Sequence, residues 1–104
     1  MRALIRVGRD RETAKIMRQV NRMVNNAYKD DESTTDRFWK LYEWMEKKGK
    51  YLVDKYDCPA SVIDSLVFRL YKEGYLHDED EEMTNEVREM IARLEAVFSK
   101  LEDE

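Results

Sequence analysis

The sequence predicts an all-α protein: four main helices in a compact bundle, with a helix-turn-helix-like centre. Gly occurs only 3 times and Pro once in 104 residues. That is too few turn-formers for the many tight connections of a sandwich or barrel. Apolar residues also recur at helical spacing in four successive stretches. A chain of this length builds one hydrophobic core, so residues 1–104 are expected to form a single all-helical domain. Its composition, 42% hydrophobic and 40% charged, suits a folded protein with a densely charged surface.

The first helix is expected from about Arg11 to Tyr28, with Asp10 as N-cap. Ile16, Met17, Val20, Met23, Val24, Ala27 and Tyr28 form its apolar face. Arg11, Lys15, Arg18 and Arg22 fall at i, i+4, i+7 and i+11, a basic stripe beside that face. Before this helix, Met1, Ala3, Ile5 and Val7 alternate, a pattern that a short strand would need a second copy to satisfy. A polar break from Asp30 to Thr34 leads to a second helix starting near Thr35 or Asp36.

Phe38, Leu41, Tyr42 and Met45 make the expected face of the second helix, flanked by Trp39 and Trp44. Lys47, Lys48, Gly49 and Lys50 resemble a helix stop, because cations complement the C-terminal dipole and Gly takes the left-handed position. Leu52 and Tyr56 nevertheless continue the phase of Phe38, Met45 and Gly49. A break at Gly49 and one unbroken helix both remain open. The aromatic set exceeds what one helix face buries, which makes Trp39 and Trp44 candidates for a protein interface.

Pro59 is expected at the first position of the third helix, where its missing N–H costs nothing. Val62, Ile63, Leu66, Val67, Phe68, Leu70 and Tyr71 cover most of that helix, so it should be the most buried and central one. It ends at Gly74. The fourth helix is expected from about Glu82 to Leu101. Its stripe of Met83, Val87, Met90, Ile91, Leu94, Phe98 and Leu101 is heptad-like, the pattern of a dimerisation helix. A homodimer is expected on that basis.

Charge is unevenly placed. Residues 1–29 carry eight basic and two acidic side chains, +6, whereas residues 78–104 carry three basic and eleven acidic, −8. Such asymmetry marks either nucleic-acid contact at one end or two parts that attract each other. The first and fourth helices are therefore expected to pack together, within one chain or across a dimer.

Leu52 to Leu76 lay out a short apolar-faced segment, a turn ending in Pro59, a longer helix, and Gly74-Tyr75-Leu76. Leu52, Val53 and Tyr56 would face inward from the first helix of such a unit, Cys58 would be the apolar turn residue, and Ile63, Val67 and Leu70 would face inward from the second. This register resembles the helix-turn-helix of GntR-type winged-helix regulators, over about a quarter of the chain. The resemblance implies duplex DNA as a partner, with Ser61, Ser65, Arg69 and Lys72 on the reading helix. Arg11, Lys15, Arg18 and Arg22, together with Arg2, Arg6 and Arg9, would touch phosphates. The chain departs from the family in three ways. Asp57 stands where a turn Gly is usual, Val53 replaces a small residue, and the run from His77 to Glu82 replaces the wing hairpin.

No catalytic constellation is present, so no enzyme activity is expected. One His and one Cys exclude a multi-His or multi-Cys metal site within the chain, and no Gly-rich phosphate loop exists. Asp78, Asp80, Glu82, Glu86 and Glu89 match EF-hand ligand spacing, but Met83 stands where that loop needs Gly. Neither metal nor cofactor is expected. No apolar run approaches a membrane span and no signal peptide is evident, so a cytoplasmic location is expected. Two functions follow. One is a small regulatory DNA-binding protein. The other is a helical interaction module, an adaptor or inhibitor of phage or mobile-element type, that binds a protein through Trp39, Trp44, Glu82, Glu86 and Glu89 and does not bind DNA.

Overall fold

A computed structural model describes residues 1–25 and 33–102. The fold is all-α. The helices are α1 (Arg2–Asn25), α2 (Thr34–Tyr56), α3 (Ile63–Lys72) and α4 (Asn85–Glu102), with a 3₁₀ turn at Ala60–Val62. No strand occurs among the described residues.

Helix α1 begins nine residues before the expected start. The alternation of Met1, Ala3, Ile5 and Val7 does not make a strand, and Asp10 lies inside the helix instead of capping it. The helical period wins because the buried positions of this stretch are Leu4 and Gly8, four apart. Ala27, Tyr28 and Lys29 lie outside the described residues.

Ser33 caps α2. Its backbone is extended and its Oγ accepts the Asp36 N–H at 3.2 Å, filling one of the donors that a helix start leaves open. Helix α2 then runs unbroken through Gly49 to Tyr56. A mid-helix Gly costs only about 1 kcal/mol, too little to stop a helix of good formers. The Asp57 N–H closes the last turn on the Val53 carbonyl at 2.9 Å.

Pro59 does not start α3. It has extended backbone and caps the 3₁₀ turn, and α3 begins only at Ile63. At its other end, the Tyr75 N–H donates to the Leu70 carbonyl at 2.9 Å and the Gly74 N–H to Tyr71 at 3.1 Å. This bond pair is a Schellman motif, and Gly74 supplies its left-handed residue at φ +88°. Helix α4 starts at Asn85, not Glu82, because Thr84 is the cap: its Oγ1 accepts the Val87 N–H at 3.3 Å.

The chain divides into two compact units. The first combines Met1–Arg9 with Cys58–Glu104. Its core is Leu4, Leu66, Val67, Leu70, Leu76, Met83, Val87, Met90 and Ile91. Helix α3 is central here. Leu70 seats so closely on Gly8 that a Cβ there would lie 2.7 Å from Leu70 Cδ1. On α3's other side, Phe68 stacks on Phe98 of α4 at 5.3 Å between ring centres. Leu66, Val67 and Leu70 are the buried face of α3, Ile63, Phe68 and Tyr71 are half-buried beside it, and Asp64, Ser65, Arg69 and Lys72 are exposed.

The second unit is Asp10–Asp57. It pairs α1 beyond Asp10 with α2. The two run antiparallel, because Glu12 near the start of this stretch meets Tyr51, Lys55 and Tyr56 in the last turns of α2.

Candidate functional site

The most unusual feature of the second unit is what α2 leaves outside. Phe38, Trp39, Tyr42 and Met45 are 58%, 54%, 51% and 46% exposed, and Val53 is 64% exposed. They lie along one side of the helix by the 3.6-residue period. Trp39 meets Phe38 and Tyr42 edge-on, at 5.2 and 5.7 Å between ring centres, so the rings pack on one another in the open. The covered side of α2 is rotated from the expected one. Arg37, Leu41, Trp44, Lys48, Tyr51 and Lys55 are its less exposed positions. Trp39 and Trp44 therefore part company: Trp39 is in the exposed group, and Trp44 is half-buried beneath the Lys48 ammonium, 5.4 Å from the ring centre.

That rotation comes from a polar anchor. Glu12 and Lys55 are both buried. Lys55 Nζ donates to both Glu12 carboxylate oxygens, at 2.9 and 3.1 Å. The Tyr56 hydroxyl donates to Glu12 Oε1 at 2.6 Å and the Tyr51 hydroxyl to Oε2 at 3.2 Å. Lys55 Nζ also donates to the Tyr51 hydroxyl at 3.1 Å. Burial alone would raise the Glu12 pKa. The hydrogen bonds from Tyr56 and Lys55, the Lys55 charge and the Tyr51 bond outweigh it and hold the carboxyl below its ordinary 4.5. Four of these bonds join Glu12 of α1 to the last turns of α2. Sequence reasoning missed it. The one available signal is that Lys55 lies in phase with Leu41, Trp44, Lys48 and Leu52, on an otherwise inward-facing side.

The expected DNA-reading face is exposed but largely neutralised. Ser61, Ser65, Arg69 and Lys72 all reach the surface of the first unit. Arg69 pairs with Glu73 at 3.4 Å and Lys72 with Glu95 of α4 at 2.8 Å. Asp64 is also exposed beside them. This unit carries eight basic and thirteen acidic residues, a net −5. On the first helix of the proposed motif, Val53 points outward instead of inward. That helix is the end of the 23-residue α2, not a short separate element.

The stripe of Lys15, Arg18 and Arg22 is exposed on α1, with Arg11 partly covered. Because α1 starts at Arg2, Arg2, Arg6 and Arg9 fall about half a turn round the helix from that stripe. The acidic run folds back on itself. The His77 N–H donates to Asp80 Oδ2 at 2.9 Å, the Tyr71 hydroxyl to Asp78 Oδ2 at 3.4 Å, and Arg88 to the Asp78 carbonyl at 2.6 Å. The Asp78 charge, with burial and the hydrogen bond, raises the Tyr71 pKa. Glu82 lies in this turn, before α4, while Glu86 and Glu89 are exposed on the helix itself. The three are therefore not one helical face. Among the described residues no cluster of three or more His, Cys, Asp or Glu is arranged to hold a metal, and no helix is long and apolar enough to cross a membrane.

Comparison with protein-family models, curated proteins and solved structures returned no match.

Proposed function

We propose that the chain is a non-enzymatic helical interaction module that recognises a protein through the aromatic side of α2. The observation that carries this is the exposure of Phe38, Trp39, Tyr42 and Met45 together on one helix. Aromatic and Met side chains are the types enriched at the buried centres of protein interfaces. They supply much contact area at small entropic cost. The covered side of α2 is anchored by the Glu12–Lys55 network, so the aromatic side is presented on a fixed element.

The test is site-specific photocrosslinking in cells. Benzoylphenylalanine replacing Trp39 should give a discrete protein adduct, while the same group replacing Ser61 should give none. Equal labelling from both positions, or none from Trp39, would overturn this reading.

The second reading is a regulatory DNA-binding protein. Its support is the exposed row of Lys15, Arg18 and Arg22 on α1, since such rows neutralise phosphates. Ion pairing on α3 and the acidity of its unit weigh against α3 as the reading element. Duplex-DNA anisotropy at about 50 and about 200 mM salt separates the readings, because several phosphate contacts would weaken binding tenfold or more across that range. The interaction-module reading expects no binding at the lower salt.

A further inference from the structure

We infer that the partner on α2 is a second copy of this chain, docked antiparallel about a two-fold axis near Glu46 and Lys47. The inference rests on the reading of α2 as the interaction surface.

Size reverses along α2. The exposed residues of its first half are bulky: Phe38, Trp39, Tyr42 and Met45. In its second half the exposed row passes through Gly49 and Val53, and a Cβ built on Gly49 meets nothing within 4 Å. Antiparallel pairing sets Phe38 and Tyr42 of one copy against the partner's Val53, and Met45 against the partner's Gly49. Parallel pairing would instead set ring against ring and leave a gap at Gly49.

Charge reverses in the same place. Glu43, Glu46, Lys47 and Lys50 line one open groove beside the aromatic row. Two acidic residues precede two basic ones, so an antiparallel copy brings Glu43 and Glu46 to the partner's Lys47 and Lys50. A parallel copy would put the two grooves on opposite sides of the interface, where these pairs do not form. A two-fold interface must be complementary to itself in this way. Exposed pairs contribute little affinity and much orientation, so the rings supply the binding and the charges the direction.

The second unit also needs a cover. Val20 is its only buried apolar residue among those described, so the two anchored helices share little apolar core. Two copies would give four helices, the ordinary number for a bundle core.

Sedimentation equilibrium of the full chain from about 2 to about 200 µM should show mass rising from 12.6 kDa toward twice that value. Gly49→Leu fills open space in the single chain, so circular dichroism should be unchanged while self-association weakens at least tenfold. The double variant E43K/E46K should be monomeric alone and should pair with K47E/K50E when the two are mixed.

Orientation is read with single cysteines in a Cys58→Ser background and a short bis-maleimide crosslinker. Glu46→Cys should crosslink to itself. Trp39→Cys should not, because the antiparallel axis separates the two copies of position 39 by about 22 Å along the helix. A monomeric mass at every concentration overturns the inference. So does a dimer indifferent to Gly49→Leu and to the charge variants, or equal crosslinking at both positions. A monomer that still yields a different protein's adduct from position 39 removes self-pairing and leaves the interaction module standing. A monomer with no adduct from that position removes both.

Discussion

The two units of this chain are held by different physics. Among the described residues, nine of the ten buried apolar ones belong to the unit formed by Met1–Arg9 and Cys58–Glu104. Among the described residues, the unit of Asp10–Asp57 has Val20 alone, yet it holds the two buried charged ones, Glu12 and Lys55. One unit is closed by area removed from water, which is strong and non-directional. The other is pinned by five directed hydrogen bonds around one carboxylate and one ammonium. The first unit still leaves Val97, Phe98 and Leu101 exposed toward the end of α4. A directed anchor joins α2 to α1 while the rings of α2 stay outside.

The contrast breaks most sharply at Glu12. Glu12→Ala leaves the Lys55 ammonium buried without its partner, a change that costs about 3–5 kcal/mol. Replacing both charges, as Glu12→Leu with Lys55→Met, should recover most of that loss, since buried pairs often exchange for apolar ones at little net cost. Urea denaturation of the three chains checks this. A double variant as unstable as Glu12→Ala would mean that the tyrosine hydroxyls, not the ion pair, carry the anchor. In the other unit, Leu70→Ala should cost about 2–5 kcal/mol through lost burial and the cavity left behind. No second substitution of opposite charge exists to rescue it.

Acid offers a smaller and more selective test. Folding holds the Glu12 carboxyl below its ordinary 4.5, so the unfolded chain takes up that proton more readily than the folded one. The stability Glu12 contributes is therefore complete above 4.5 and is lost as the pH falls through the folded value. Urea midpoints between about pH 7 and pH 3 should drop more steeply for the wild-type chain than for Glu12→Gln. Parallel slopes would show that Glu12 does not titrate with folding.

Much of the fold was legible because it is periodic. The burial of Val87, Met90 and Ile91 on α4, and of Leu66, Val67 and Leu70 on α3, follows the apolar spacing alone. Gly74 ends α3's turn at positive φ, as a C′ glycine should. The first turns of α1 were not legible, because alternation over seven residues fits a strand as well as a helix. What decides there is Leu70, sixty-two residues away, resting on Gly8. The face of α2 was misread for a related reason. Apolar spacing picks out Phe38, Tyr42 and Met45 as inward, whereas the contact that orients the helix is polar and joins Glu12 to Lys55. Hydrophobic pattern says which side of a helix seeks cover. It does not say whether the cover comes from the same chain, and on α2 the pattern marks the side left exposed.

The finest test of the contrast uses two glycines, one in each unit and both inside a helix. Ala in place of Gly within a helix is ordinarily worth about 0.5–1 kcal/mol, because the unfolded chain gives up less freedom on folding. At Gly49 nothing lies within 4 Å of the new Cβ. Gly49→Ala should therefore show that full gain, measured by urea denaturation in dilute solution where the chain is unpaired. At Gly8 the same methyl lies 2.7 Å from Leu70 Cδ1 and 3.4 Å from Cδ2 and Cγ. Leu70 is fully buried among Leu66, Val67 and their neighbours, so it yields only by leaving its packed position, at a cost of about 1–3 kcal/mol. Gly8→Ala should thus be neutral or destabilising by up to about 2 kcal/mol, opposite in sign to its counterpart on α2. Equal gains at both sites would mean that Leu70 moves freely, and the first unit would then be held no more tightly than the second.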